Sequence, residues 1–432
     1  MGKISVRKIF IIFFAVFYVM PLHAMSVIND TQIEKHLYEL ITPVAVAANV
    51  PENRLKIHIV NDDTFNAFVT GGQDVFINTG LLTRIKNPNA LQSVVAHELG
   101  HMIGGHMAQM SARIESEIKR TLMIQALGIG LMVAGGNPSL GAGVLAGAGG
   151  IAQQSMLSFS RDEERIADEF AVDLLVRANI NPNGLITVFE QMQDMSGAME
   201  SKISKTKTNH PLTSERLKNT RDKIKTIKHS GKYKNYSDSE YELIRAKLIG
   251  YLYNERQILD RYPYRDKSVP ATYARAIGAM RGGALDDART ATRDLITRDE
   301  KNPYYYELLG DIEYQFGHYD DSVRAYEHAL KLEPNAPQIQ TALALVLSER
   351  KKPDDASRGI SLCKSALLSQ PAPLTYWVLA KLYDDGREYW ALAEFYNMNG
   401  DEKKAKKFAS RAQQKLSPNT PEYIKSGDIL EQ

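Results

Sequence analysis

The segment His97-Glu98-Leu99-Gly100-His101 has the residue types and the spacing of a metal site that activates water. Two histidines four positions apart lie on one face of an α-helix, one turn apart, so both imidazoles can bind the same ion. Glu98 stands beside the first imidazole, where its carboxylate can take a proton from a water on the metal. The segment therefore predicts a zinc hydrolase, with His97 and His101 as metal ligands and Glu98 as the general base. Because short motifs also occur by chance on solvated helices, the surrounding sequence must show whether this match is a metal site.

The residues before the motif predict the helix that would carry it. Asn87-Pro88-Asn89 is typical of a helix start with a capping asparagine. Behind it, Leu91, Val94 and Val95 recur at helical spacing. A helix that buries this apolar face can point its two histidines inward, as a metal site requires.

A third ligand has to come from elsewhere, because zinc in a hydrolase usually has three protein ligands and one open position. The segment 160–169 opens a second helical pattern, in which Glu164 and Asp168 are four residues apart and share a face. Glu164 is thus the candidate third ligand, and Asp168 can accept a hydrogen bond from a ligand imidazole and fix its tautomer. The alternative is a charged face that is only solvated.

His106 is a competing candidate ligand. The metzincin motif H-E-x-x-H-x-x-G-x-x-H is met at Gly104, but the next histidine, His106, comes one residue early. On a continuing helix His106 would lie about 140° around the axis from His101, and it would point away from the metal face. We therefore expect His106 to have a structural or cleft-lining role.

Together these residues resemble the gluzincin peptidases of the HtpX and CAAX-prenyl-protease family, over about residues 30 to 228. The second ligand helix of that family carries the pattern S-R-x-x-E-x-x-A-D. The matching residues here are Ser160, Arg161, Glu164, Ala167 and Asp168. The resemblance implies one zinc ion per chain with Glu164 as its third ligand, and Asp168 as a supporting catalytic residue. It also implies a mainly α (α+β) peptidase domain with a small β-sheet.

Two further signatures of the family flank the ligand helices. Before the first helix, the signature covers the segments 66–68 and 75–82. Within this region, residues 65–70 and 75–78 are β-prone and flank Gly71-Gly72, which predicts a hairpin near the cleft. Its exposed edge could hold a substrate peptide as an added strand. After the second helix comes the segment 210–216. The resemblance implies that His210 can occupy the open metal position and gate the site, and that Arg216 can stabilise charge on a tetrahedral intermediate. The alternative for His210 is a helix-capping His-Pro turn.

The first residues read as a secretory signal peptide, which we assign to residues 1–24. Lys3, Arg7 and Lys8 precede an apolar run over 9–19, and Leu22-His23-Ala24 offers a cleavage site. The apolar run is shorter than the roughly 20 residues that a membrane-spanning helix needs. We therefore expect export rather than an uncleaved membrane anchor.

The charge balance and the single cysteine limit the classes of partner and bond. Without the signal segment, 53 Lys and Arg become 50 against 51 Asp and Glu, so the mature chain is close to neutral. This gives no basic surplus for nucleic acid or for a membrane surface. Cys363 is the only cysteine, which excludes an intramolecular disulfide.

The apolar region 122–150 is rich in glycine and is interrupted by Asn137-Pro138-Ser139. A hairpin in lipid would leave unsatisfied backbone groups in hydrocarbon. We therefore favour a helix and a mobile loop that covers the catalytic cleft, where it can act as a lid. A membrane-embedded protease is the alternative.

An internal repeat follows in the second half. The motifs that start at Asp286, Asp320 and Asp354 are spaced 34 residues apart, which is the tetratricopeptide period. Within the unit 303–336 the characteristic small and large positions are Tyr306, Leu309, Gly310, Ser322, Tyr326, Ala329 and Pro334. A fourth unit contains Tyr389, Leu392, Ala393, Tyr396, Ala405 and Ala412. Because Ala356 and Ala405 are 49 residues apart, we expect an insertion between them.

We accordingly divide the chain into a signal peptide (1–24), a zinc metallopeptidase domain (25–228), a linker (229–239) and a tetratricopeptide α-solenoid (240–432). Stacked helix pairs build a concave surface that suits peptide or protein binding. The alternative is that the array only packs on the catalytic domain as a scaffold.

This order of segments resembles the bacterial β-barrel assembly-enhancing proteases. The resemblance implies a periplasmic protein, peripheral to the outer membrane and without a stable transmembrane span. It implies misfolded or stalled outer-membrane proteins as substrates, and docking of the repeats on the outer-membrane β-barrel assembly machinery. The alternative function is that of a chaperone or adaptor, whose metal site is structural or is held closed by His210.

Overall fold

The computed structural model describes residues 26–70, 74–106, 109, 159–199, 210, 212–228 and 231–432. They form two compact units. The first consists of residues 26–28 and of the described residues of Glu34–Tyr241, and the second of Asn29–Ile33 and Glu242–Gln432. The predicted signal peptide (1–24) and the glycine-rich cover (122–150) lie outside the described residues.

The first unit combines a small sheet with helices. The strands are β1 (Val27–Ile28), β2 (Lys56–Val60), β3 (Ala67–Val69) and β4 (Asp74–Asn78), in the spatial order β1-β2-β4-β3. The helices are α1 (Thr31–Ala47), α2 (Thr79–Arg84), α3 (Pro88–Ile103), α4 (Arg161–Arg177), α5 (Asn183–Met199) and α6 (Ser214–Thr226).

The sheet follows from the alternation of its side chains. Strands β2 and β4 are parallel, and β1 and β3 pair antiparallel at the two edges. Ile57 and Ile59 on β2 and Val75 and Ile77 on β4 are buried, so every second residue faces the core. The predicted hairpin is confirmed, since β3 and β4 pair with Phe68 opposite Phe76. Strand β3 is the edge strand next to helix α3.

Local capping determines where the two motif helices begin. The Asn87 side chain accepts a hydrogen bond from the backbone N–H of Ala90 at 2.8 Å, and Pro88 occupies the first turn of α3. Before α4, the Ser160 hydroxyl accepts from the Glu163 N–H at 3.2 Å, and the Glu163 carboxylate accepts from the Ser160 N–H at 2.8 Å. This capping box starts α4 one residue after Ser160.

From Asp238 onward the chain is helical. The helices are α7 (Asp238–Leu252), α8 (Glu255–Arg261), α9 (Val269–Gly282), α10 (Leu285–Arg298), α11 (Pro303–Gln315), α12 (Tyr319–Leu332), α13 (Pro337–Arg350), α14 (Asp355–Ser369), α15 (Pro373–Leu382), α16 (Arg387–Met398), α17 (Glu402–Lys415) and α18 (Pro421–Glu431). Helices α9, α11 and α13 begin at Val269, Pro303 and Pro337, 34 residues apart, as the repeat predicts. The expected insertion is helix α15, which packs on α14 and α16.

The mainly α fold with a small sheet, followed by a helical solenoid, is therefore confirmed. Within the part of the chain that the structure describes, no helix is both long and apolar enough to cross a membrane.

A buried polar cluster connects the helices of the second unit. The Lys247 ammonium on α7 is 2.7 Å from Asp30 Oδ2 and 2.9 Å from Glu307 Oε2 on α11. One turn further along α11, Asp311 accepts a hydrogen bond from the Tyr326 hydroxyl. Burial raises the pKa of Glu307 to about 7 and that of Asp311 to about 6, since a single ammonium faces three carboxylates.

These pKa values give the second unit a defined pH dependence. In the unfolded chain both carboxyl groups have their ordinary pKa near 4, so the fold binds protons that the unfolded chain has lost. The free energy of unfolding must therefore fall as the pH rises from about 4 to about 7. We expect Asp311→Asn to raise the melting temperature at pH 8, with a gain on the order of 1 kcal/mol, and to raise it less at pH 5.

Thermal unfolding of the full chain, followed by circular dichroism at both pH values, measures this effect. Asp260→Asn is the control, because Asp260 is exposed on α8 and should give no pH-dependent difference. Equal shifts for Asp311→Asn at pH 5 and pH 8 would contradict the prediction.

Candidate metal centre

Four side chains of the first unit converge on one point. Potential ligand atoms of His97, His101, Glu164 and His210 all lie within 4.8 Å of one another. His97 Nε2 is 3.1 Å from His101 Nε2 and 3.4 Å from Glu164 Oε2. Glu164 Oε1 is 3.7 Å from His101 Nε2. Ligands held at about 2.0–2.1 Å around a tetrahedral ion lie roughly 3.3 Å apart, so this set has the dimensions of a site for a single ion.

A close approach of two helices brings these ligands together. Helix α3 carries His97 and His101, and helix α4 carries Glu164. Between them a Cβ atom at Gly100 would lie only 2.6 Å from the carbonyl oxygen of Ala167. Glycine at this position therefore allows the two backbones to touch, and the carboxylate of Glu164 reaches the imidazoles across the contact.

Asp168 lies behind the first imidazole. Its Oδ1 lies 2.9 Å from His97 Nδ1, an ion-pair contact. A carboxylate this close favours the ring hydrogen on Nδ1, which leaves the lone pair on Nε2 for the centre of the ligand cluster. The structure places Asp168 beside the His97 imidazole, and its supporting catalytic role stays a prediction.

Arg216 lies near the start of α6, where the Thr213 hydroxyl caps the helix by accepting from the Arg216 N–H at 3.2 Å. The guanidinium Nε and Nη2 donate to both oxygens of Asp168 at 2.8 Å, and Nη1 is 2.7 Å from Glu164 Oε2. These contacts place Arg216 behind the ligand carboxylates. They differ from the predicted contact with a tetrahedral intermediate, because α6 packs on α4 and presents the guanidinium to it.

The electrostatics of the cluster require additional positive charge. Burial raises the pKa of Glu98, while the Asp168 carboxyl keeps a lowered pKa because its hydrogen bonds to Arg216 and His97 outweigh burial. Burial also disfavours a charge on His97, yet hydrogen bonds to Asp168 and Glu164 prevail and raise its pKa to about 10. The cluster thus contains three carboxylates and only one guanidinium. A divalent metal ion bound between the candidate ligands would supply the missing positive charge.

His210 is on the fourth side of the cluster. Its Nδ1 is 2.8 Å from Glu164 Oε1 and 3.4 Å from His97 Nε2, and its Nε2 is 3.5 Å from Glu98 Oε1. The ring of Phe159 packs against it, with centroids 5.1 Å apart. His210 therefore stands between the candidate ligands and Glu98.

His106 is the residue whose position sequence reasoning missed. Helix α3 ends at Ile103, and Gly105 has a φ of 69°, a left-handed conformation that turns the chain back. As a result His106 Nδ1 lies 3.0 Å from His101 Nδ1. The helix does not continue through His106 as that expectation assumed, yet His106 is not among the described side chains that converge as potential ligands, and its structural role stays a prediction. The signal was available, since the pair Gly104-Gly105 is a helix stop.

Comparison with known proteins agrees with this geometry. Residues 31–224 match the model of peptidase family M48, and residues 310–349 match a TPR repeat. Residues 31–224 are an M48 peptidase domain. This domain contains every side chain of the metal cluster, and the chain is a metalloendopeptidase.

Curated relatives are similar to this chain over different shares of its length. The beta-barrel assembly-enhancing protease of Escherichia coli K12 is 25% identical, over 79% of this chain and 70% of its own length. The protein of that name from Yersinia pestis is 24% identical, over 78% of this chain and 70% of its own. The mitochondrial metalloendopeptidase OMA1 of Schizosaccharomyces pombe is 26% identical, over 42% of this chain and 50% of its own. The first two alignments extend beyond the M48 domain into the repeats.

The contact at Gly100 leads to a direct prediction. We expect Gly100→Ala to push α3 away from α4, because the added methyl group would overlap the Ala167 carbonyl. Overpacking of this kind costs about 1–3 kcal/mol of stability, and here it also separates Glu164 from the imidazoles. The variant should lose bound metal on dialysis and melt at a lower temperature.

Gly282→Ala, at the end of α9, is the matched control, because a Cβ there meets no atom within 4 Å. If Gly100→Ala kept wild-type metal content and melting temperature, the helix contact would not be what positions Glu164.

Proposed function

We propose that this chain is a periplasmic zinc endopeptidase that acts on misfolded or stalled outer-membrane β-barrel proteins. The observation that carries the proposal is the convergence of His97, His101 and Glu164 beside the buried carboxylate of Glu98. Two imidazoles and one carboxylate are a donor set that zinc hydrolases use, with a fourth position for water or substrate. Zinc is therefore the metal that this site would hold.

The roles of the residues follow from their contacts. A bound zinc ion supplies Lewis acidity, which lowers the pKa of water and polarises a peptide carbonyl. Glu98 takes the proton from the water and delivers it to the leaving amine, a task that suits a carboxylate whose pKa is raised by burial. Asp168 holds His97 with Nε2 toward the metal.

Arg216 holds two carboxylates, that of the ligand Glu164 and that of Asp168 behind His97. Its guanidinium pairs with Asp168 and Glu164, so both stay ionised while buried. We assign Arg216 this positioning role in place of direct contact with the reacting carbonyl.

The substrate would bind as an extended strand. Strand β3 is an edge of the sheet and lies against α3, the helix that carries Glu98. A peptide that adds to this edge forms backbone hydrogen bonds without regard to its side chains. This mode suits a protease of unfolded chains, whose sequences vary.

The cellular role is supported by the order of segments and by the relatives. Two relatives that align with more than three quarters of this chain are named beta-barrel assembly-enhancing proteases. The signal peptide (1–24) would deliver the domain (25–228), the linker (229–239) and the repeats (240–432) to the periplasm. The repeat surface would dock on the outer-membrane β-barrel assembly machinery.

Substitution of the base tests the enzyme function. We expect Glu98→Gln to lower the cleavage rate by about 10²–10⁴-fold, because glutamine cannot accept the proton, while zinc content stays at one ion per chain. The assay follows cleavage of casein and of a denatured outer-membrane β-barrel protein. Cleavage by this variant at the wild-type rate would show that another group is the base.

Removal of the His210 side chain tests whether this residue gates the metal site. We expect His210→Ala to keep its zinc through three ligands and to cleave casein several-fold faster than the wild type, because the fourth position opens to water. Faster cleavage with equal zinc content supports the gate. Loss of cleavage with equal zinc content would instead make His210 part of the catalytic machinery.

A chaperone or adaptor function is the second candidate, and the position of His210 among the ligands favours it as a closed state. If neither the wild type nor His210→Ala cleaved any substrate despite bound zinc, the adaptor function would replace the enzyme function.

A further inference from the structure

We propose that His106 is a positioning residue for the metal ligand His101. Its Nδ1 accepts the hydrogen bond that fixes the tautomer of the His101 imidazole. The inference rests on the proposed function, since it takes His101 as a ligand. It concerns a residue outside the His-Glu-x-x-His motif and outside the two ligand helices.

The direction of this hydrogen bond follows from the opposite side of the His101 ring. His101 Nε2 lies 3.1 Å from His97 Nε2 and 3.7 Å from Glu164 Oε1, so it faces the ligand cluster and must present a lone pair there. The ring hydrogen is then on Nδ1, 3.0 Å from His106 Nδ1. A neutral imidazole has one donor and one acceptor nitrogen, so His106 accepts at Nδ1 and has its hydrogen on Nε2.

Burial makes this acceptor necessary. His101 is 1% exposed and His106 is 2% exposed, so water does not reach the bond between them. A buried N–H without an acceptor costs about 1–3 kcal/mol. Without His106, the His101 ring would gain by rotating or by moving its hydrogen to Nε2, and either change removes the ligand lone pair.

The two imidazole ligands are thus supported by different chemistry. Asp168 supports His97 with a carboxylate oxygen at 2.9 Å, and His106 supports His101 with a neutral nitrogen. The cluster already holds three carboxylates against one guanidinium. A neutral acceptor orients the second ligand without adding a further negative charge, which would have to be buried beside Glu164.

The backbone after α3 is shaped for this contact. Gly105 adopts a φ of 69°, which glycine reaches without strain, and its N–H donates to the Met102 carbonyl at 3.1 Å. A Cβ atom at Gly104 would lie 2.6 to 3.1 Å from three atoms of the His106 ring. The ring therefore lies directly over Gly104, and the two glycines let the chain fold back beneath His101.

Packing holds the other face of the ligand ring. The Phe159 ring lies against His101, with centroids 3.8 Å apart and planes 30° from each other. Phe159 limits tilting of the ring, but it offers no acceptor for Nδ1. Within the part of the chain that the structure describes, His106 provides the contact to Nδ1 that can set the orientation about the ring normal and the tautomer.

The experiment compares His106→Leu with His106→Asn in the full chain. Leucine fills the volume without an acceptor, whereas asparagine can present its Oδ1 close to the position of Nδ1. The zinc affinity of each variant is measured by competition with a chelator, and cobalt absorption spectra report ligand geometry. The melting temperature of the metal-free protein reports packing alone.

We expect His106→Leu to lower zinc affinity by about 10–100-fold and to alter the cobalt spectrum, with a metal-free melting temperature near that of the wild type. We expect His106→Asn to recover most of the affinity. His328→Leu, at an exposed histidine of the repeats, is the control and should bind zinc as the wild type does.

Two results would overturn the role of His106 alone. In one, His106→Leu binds zinc as tightly as the wild type. In the other, both variants lose affinity equally and the metal-free protein melts at a lower temperature, which would make His106 a packing residue. A wild-type chain that takes up no zinc would overturn the proposed function, and this role with it.

Discussion

The structure depends most on charge balance in a buried site. Glu98, Glu164 and Asp168 are each at most 6% exposed, so their ionised forms require positive charge close by. Arg216 supplies one charge through its bonds to two of them, and a divalent ion among the imidazoles would supply the remaining two. Loss of one partner from a buried ion pair typically costs about 3–5 kcal/mol, so binding of the metal and folding of this region are coupled.

The positions of the candidate metal ligands then follow from a small number of local features. Gly100 allows α3 to touch α4, which places Glu164 opposite His97 and His101. The capping residues Asn87 and Ser160 start each helix so that its polar side chains fall on the facing surfaces. Asp168 and His106 then orient the two imidazoles from behind. The candidate ligands are thus few, and the residues that hold them in place belong to α3, to α4 and to the turn that follows α3.

Much of the fold could be predicted from the sequence, because the sequence patterns that determine it are local. The capping asparagine, the Ser160 helix start and the pairing of β3 with β4 depend on neighbours within a few positions, and all appear in the structure. The 34-residue period is read directly from the recurrence of its motifs, and it also appears. The direction of His106 could have been predicted if the Gly-Gly pair had been taken as a helix stop.

The rest depends on contacts between residues far apart in sequence. That Arg216 pairs with Asp168 and Glu164 requires the packing of α6 on α4. That Lys247 is buried between Asp30 and Glu307 requires the N-terminal segment to meet the repeat helices within the second unit. The spacing of charges along the chain shows neither contact, because each helix also offers exposed partners of opposite charge.

The central claim is that one zinc ion is held by His97, His101 and Glu164. The most direct test is anomalous X-ray scattering at the zinc absorption edge, from crystals of the zinc-loaded full chain. We expect a single strong peak at about 2.0–2.2 Å from Nε2 of each histidine and from the Glu164 carboxylate. A zinc-loaded crystal with no peak among these three side chains, or with its peak elsewhere, would contradict it.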